Sequence, residues 1–212
     1  MEAILVGVSG KAGHGKDSLA NILLEKFATM SILNRIYFAD QLKKTVQEVF
    51  MLEHRHLWDE EGKDEQIKHL GGITGRSILQ NFGEAVRKIY GDMWVIHYER
   101  VLFDFIYKYK ASDRMLIVTP DVRHKNEYDC IKKNVLGNSG GLYGTGHNIN
   151  LKSMLIRVIR PGHVMNGDAS HASETSLDDI NGWDHIVVAN DLAQLSIAAD
   201  PIIDDINKHF KL

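Results

Sequence analysis

Apolar residues gather in five short stretches, and between them they recur at three- to four-residue spacing. Residues 3–8 predict a buried strand, and residues 9–15 a loop with three glycines. Leu19, Ala20, Leu23, Leu24 and Phe27 then predict a helix from residue 17. A second strand is expected at 35–38. A helix over 40–51 follows, with Leu42, Val46, Val49 and Phe50 on one face. Residues 53–72 are charged, rich in histidine and without clean periodicity, so they read as a mobile insertion. Helices are expected at 74–90 and 92–109, joined near Gly91. Further strands are expected at 115–118, 154–159 and 186–189, with helices at 125–134 and 192–209. Residues 137–148, rich in Gly and Asn, read as a loop or hairpin tip.

Short apolar strands separated by helices argue for a parallel sheet covered on both faces. In such sheets ligands bind beyond the carboxyl ends of the strands. Gly10, Asp40, Asp121, Pro161 and Asn190 are all expected just past strand ends, which points to one shared site.

Composition narrows this picture. The 212 residues suit one domain, spanning 1–212, that needs no disulfide or metal staple. The single cysteine, Cys130, reads as a small apolar residue on a helix. Neither a signal peptide nor a run of about 20 apolar residues is visible, so a cytoplasmic protein without membrane attachment is expected. A net charge of −3 with mixed signs argues against a nucleic-acid partner but leaves room for a small anion. His54, His56 and His69 lack zinc-ligand spacing and read as solvated loop histidines.

Residues 10–18, Gly-Lys-Ala-Gly-His-Gly-Lys-Asp-Ser, match the phosphate-loop pattern. Glycines let successive N–H groups turn inward onto phosphate oxygens, and the helix that follows adds its positive end. Gly10, Lys11, Gly13, His14, Gly15, Lys16, Asp17 and Ser18 are therefore expected to hold the triphosphate, with Lys16 on its β- and γ-phosphates. Asp17 stands where the usual pattern has Ser or Thr. An Asp there could also be no more than a helix cap.

Gly-Lys-Asp-Ser resembles the loop of bacteriophage deoxynucleoside monophosphate kinases. Four further segments are similar to that family: Phe38–Lys43; Arg76–Glu84 with Arg87 and Trp94; Asp121–Glu127; and His171–Glu174 with Leu177, Asp178, Asn190 and Asp191. They run in the family's order over nearly the whole chain. The resemblance implies an α/β, three-layer P-loop NTPase fold. It has a five-stranded parallel sheet, an acceptor-binding helical region near 40–112 and a lid-like segment near 160–182. It also implies ATP and Mg²⁺ as cofactors and a deoxynucleoside monophosphate (dNMP) as acceptor, in a host cytoplasm if phage-encoded. A homodimer stays open.

Asp121, at the end of a strand, could hold magnesium with Asp17 and Ser18, and Asp17 could orient a magnesium water or the acceptor. Arg123 could grip a phosphate or pair with Glu127. Arg76, Gln80 and Arg87 share one helix face and suit an acceptor phosphate and base, with Trp94, Asp40 and Lys43 nearby in sequence. Arg160, His171 and Glu174 would lie on the lid, where an arginine could stabilise the moving phosphoryl group, and Asn190 would border the nucleotide. A phosphomevalonate-kinase-like enzyme or a nucleotide-binding regulatory module are the alternatives.

Overall fold

The computed structural model describes residues 1–133, 150–164 and 170–212. These divide into two compact units, Met1–Tyr37 with Val101–Leu212, and Phe38–Arg100.

In the first unit, β1 (Glu2–Ser9) leads through the glycine loop into α1 (Lys16–Lys26), and β2 (Ile32–Arg35) follows. Later come β3 (Arg114–Val122), α6 (Lys125–Lys133), β4 (Asn150–Ile159), α7 (Ala172–Thr175), β5 (His185–Val188), α8 (Leu192–Ala198) and α9 (Asp200–Phe210). Among the described residues the five strands form one sheet in the order β2-β3-β1-β4-β5, and every pairing is parallel. Side chains alternate across a strand, so Ile4, Val6 and Val8 of β1 face one way. They pack with Leu116, Val118, Met154, Ile156 and Val158 against Leu19 and Leu23 of α1 and Ile202 and Ile206 of α9. The opposite face lies against α6, where Ile131 is fully buried near Gly7 and Leu155. This is the expected α/β sheet covered on both faces.

The boundaries differ in informative ways. The second strand falls at 32–35 rather than 35–38. It is an edge strand whose residues are all half-buried, whereas Ile36 and Phe38, which carried the apolar pattern, are buried after its end. β3 runs on to Val122, so Asp121 sits inside the strand and not past it. Pro120 is tolerated in this central strand because the register slips there, Gly7 facing Thr119 and Ser9 facing Val122. The single closing helix is two, hinged at Ala199, because Pro201 opens α9 without a backbone N–H to extend α8. The expected loop at 137–148 lies outside the described residues.

The second unit holds α2 (Asp40–Phe50), α3 (Arg55–Trp58), 3₁₀ turns at Gly62–Asp64 and Lys68–Leu70, and α4 (Gly75–Ile89). α5 (Met93–Lys108) begins in this unit and continues past its boundary. Residues 53–72 are not a loose insertion: Leu57 and Ile67 join Leu42, Val46, Leu52, Ile78 and Trp94 in a shared core. Gly62 and Gly75 allow the close packing, since a Cβ would lie 2.3 Å from the Arg55 carbonyl oxygen and 1.9 Å from that of His56. Of the three histidines, His54 and His69 are exposed as expected and His56 is not. His56 is buried, His54 stacks on Trp58 with ring centres 4.5 Å apart, and His69 Nε2 lies 3.3 Å from the Phe50 carbonyl. No group of three or more potential metal-binding side chains occurs among the described residues.

Candidate active site

The loop between β1 and α1 needs its glycines. Gly10, Gly13 and Gly15 have φ of +154°, +75° and +92°, where other residues are strained. A Cβ at Gly10 would also lie 2.6 Å from the Val158 carbonyl oxygen, and one at Gly13 2.1 Å from His163 Nε2. The loop therefore lies directly against the end of β4 and the residues after it. His14 Nδ1 is 3.3 Å from both the Val158 carbonyl and the Arg160 N–H, and one nitrogen can serve only one of them at a time. Burial, opposed by the Val158 contact, lowers the His14 pKa.

Lys16 opens α1 and is 6% exposed, with Nζ donating to the Lys11 carbonyl at 2.8 Å. Burial brings its ammonium down to about 7, aided by the Arg123 charge and opposed by Glu174, Asp17 and Asp121. A buried ammonium at the start of a helix after a glycine loop is the arrangement expected of a phosphate site. Asp17 is exposed and accepts from the Tyr37 hydroxyl at 3.0 Å, while Arg35 Nη1 donates to the same hydroxyl at 3.2 Å. Burial raises the Tyr37 phenol to about 12, so it stays protonated and can donate.

Arg123 follows β3, and its guanidinium contacts Glu174. The expected partner Glu127 is engaged otherwise. Its buried Oε2 accepts the backbone N–H groups of Arg123 and His124 at 2.8 and 3.0 Å, satisfying the start of α6. Glu174 Oε2 also accepts the Ala12 N–H at 2.8 Å. Lys11 Nζ is 3.0 Å from Asp178 Oδ2, and Arg157 Nη2 is 2.8 Å from Asp178 Oδ1. Arg157 Nη1 donates to Ser9 Oγ at 3.0 Å. Sequence reasoning gave Arg157 no role. Its signal was a cation inside the apolar run at 154–159. Tyr37 was missed entirely, because nothing in its neighbourhood marks it.

Beside the loop lies a cavity of about 130 Å³, lined by Gly13, Ser18, Arg160, Asn190, Asp191 and Leu195 among others. Arg160 Nε donates to the Asn190 carbonyl at 3.1 Å, and Asp191 caps α8 by accepting the Gln194 N–H at 2.8 Å. His171 caps α7, its Nδ1 accepting the Ser173 N–H at 3.2 Å. The first unit thus brings Arg123, Arg160, Glu174 and Asn190 to the loop of Gly10 to Ser18 and Asp121 near Lys16, while the His171 ring is bonded to Ser173 of its own helix.

The second unit holds the other candidates. Arg76 lies in the first turn of α4, which Thr74 caps by accepting the Ser77 N–H at 3.2 Å. Its Nε is 2.6 Å from Asp64 Oδ1, and its Nη2 is 3.1 Å from Asp64 Oδ2 and 2.8 Å from Glu60 Oε1. The Asp64 hydrogen bonds raise the Arg76 pKa against burial. Burial favours the neutral form of Glu60, yet bonds from Arg76 and Lys63 hold it down to about 2. Gln80 and Arg87 are half-buried on α4; Asp40 opens α2, and Lys43 Nζ sits 5.7 Å from the Trp58 ring centre. Trp94 is corrected from acceptor contact to core residue. It is 6% exposed, and its indole N–H, already donated to the Gly83 carbonyl at 3.3 Å, supports α4.

A parallel sheet in this order, with a glycine loop and a buried lysine opening the helix after its central strand, is the P-loop NTPase fold. The chain is 28% identical over 194 residues to a protein of Acanthamoeba polyphaga mimivirus named "Putative deoxynucleotide monophosphate kinase". The match covers 88% of this chain and 89% of that protein. No protein-family model matches the chain. It is also similar to the crystal structure of a gluconokinase from Sinorhizobium meliloti 1021, at 15% identity and a TM-score of 0.37, over 95% of this chain and 94% of that one. Among the described residues, no helix is long and apolar enough to cross a membrane.

Proposed function

We propose that this protein transfers the γ-phosphoryl group of ATP to a deoxynucleoside monophosphate. The observation that carries the reading is the buried Lys16 ammonium at the mouth of a loop held open by positive-φ glycines. The named activity of the mimiviral relative supports the choice of acceptor. Phosphoryl transfer asks a protein to align two substrates and to balance charge, with little covalent chemistry.

In this reading the N–H groups of residues 10–18 and Lys16 hold the β- and γ-phosphates. Arg123, Arg157 and Lys11 balance charge on the transferring group, and the cavity beside Asn190 and Arg160 takes the nucleoside. Arg76, Gln80 and Arg87 of the second unit are the candidates for the acceptor. Asp17, Ser18 and Asp121 are oxygen donors of the kind magnesium takes. The carboxylates of Asp17 and Asp121 both act on the Lys16 ammonium, so both belong to its surroundings. Three such groups fit an ion held mainly by the nucleotide's phosphates and water. That ion would supply charge neutralisation between the β- and γ-phosphates. Tyr37 holds the Asp17 carboxylate by its hydroxyl.

The test is ADP release by purified protein with ATP and magnesium across dNMPs, NMPs and mevalonate phosphate. Turnover with one or more dNMPs is expected. Turnover with mevalonate phosphate alone, or with no acceptor at all, overturns the proposal.

A further inference from the structure

Four groups that suit a polyphosphate converge at the loop: the Ala12 N–H, the guanidiniums of Arg123 and Arg157, and the Lys11 ammonium. Each is engaged by one of the chain's own carboxylates, and both carboxylates come from the stretch 174–178. Glu174 spans the Ala12 N–H and Arg123, and Asp178 spans Lys11 and Arg157. Glu174 is the more enclosed, its side chain 8% exposed against 38% for Asp178. The stretch is pinned from beneath by Leu177, which is 3% exposed, and by the Asp178 N–H bonded to the Thr175 carbonyl at 3.0 Å.

A carboxylate bridging a loop amide and a guanidinium presents the charge and acceptor geometry of a bound phosphate. We propose that residues 174–178 are an internal anion plug, in which Glu174 and Asp178 occupy polyphosphate positions until a nucleotide displaces them. The inference rests on reading the loop as a triphosphate cradle. Displacement has two consequences. The free protein binds polyphosphate more weakly than the cradle alone would, by the fraction of molecules in which the plug is out. A single phosphate need replace one carboxylate only, whereas a triphosphate must replace both, so the plug costs the longer anion more.

The experiment is calorimetric titration of the full chain with ATP–magnesium, inorganic tripolyphosphate and inorganic phosphate. It is run on the wild type, Glu174→Gln and Asp178→Asn, with thermal melting to verify folding. Gln keeps an acceptor for Ala12 but turns an N–H₂ toward Arg123, so the plug loosens. Tripolyphosphate should bind Glu174→Gln at least about tenfold tighter, the factor for no longer breaking one charged hydrogen bond. A smaller gain is expected for the more exposed Asp178→Asn. The preference for tripolyphosphate over inorganic phosphate should widen in both. Normal binding by the wild type with unchanged or weaker binding in the variants overturns the plug alone and makes Glu174 part of the occupied site. Should Glu174→Gln fail to melt cooperatively, Asp178→Asn decides by the same criterion. Binding of neither ATP nor tripolyphosphate to any of the proteins overturns the cradle reading as well.

Discussion

The loop at residues 10–18 and the Arg76 clasp hold the phosphate-binding candidates of the two units, but they are built from different material. The loop is made of main chain, with glycine turns and one buried ammonium in a single contiguous stretch. The clasp is made of side chains, with Arg76 held by Asp64 and Glu60 from a neighbouring segment of no evident pattern. A site made of backbone tolerates almost no substitution at its turns. A site made of charged side chains at a half-wet surface can lose members and keep its fold.

Kinetics should separate the two most sharply. Lys16→Met should reduce transfer by about 10²–10³-fold, the scale for removing one preorganised charge donor, with circular dichroism unchanged. A variant retaining a tenth of the rate would take Lys16 out of the chemistry. Gly10→Ala strikes the loop's frame, meeting both the φ of +154° and the Val158 oxygen at 2.6 Å. It should cost about 3 kcal/mol in denaturant titration and weaken ATP binding along with it.

The clasp should give gentler results. Arg76→Ala should cost only about 1 kcal/mol, because Glu60 and Asp64 are 68% and 46% exposed and solvent screens the pairs. In steady-state assays it should raise the acceptor's KM at least about tenfold, the scale of a lost charged hydrogen bond, and leave that of ATP unchanged. Unchanged KM values for both substrates would leave Arg76 as a fastener of residues 60–64. The smallest effect is in pH. The folded-state pKa of Glu60 is depressed, so its contribution is present above the ordinary 4.5 and lost as pH falls toward about 2. Acid titration of stability should therefore be shallower in Glu60→Gln than in the wild type over that window.

The same contrast explains what could be read from the chain. The phosphate loop, α1 and the buried strands carry contiguous patterns, so their chemistry and register in sequence were legible. Residues 53–72 were not, because Leu57 and Ile67 enter a core alongside Val46 and Trp94 from distant segments, with no repeat of their own. Trp94 misled for a related reason: an aromatic near candidate acceptor residues reads alike whether it stacks on a base or fills a core. Arg123 was expected to grip a phosphate or to pair with Glu127. Its partner, though, is 51 residues away at Glu174, while the near neighbour Glu127 is spent on main-chain amides. Long-range ion pairs of this kind leave no local trace.

The position of β1 at the middle of the sheet bears on how the chain comes off the ribosome. Glu2 pairs with Arg114 on one side and Asn150 on the other, so the strand is made long before either neighbour exists. Until residues near 150 emerge, at least one rim of this apolar strand is open, and a nascent chain stalled at that stage carries an unprotected aggregation seed.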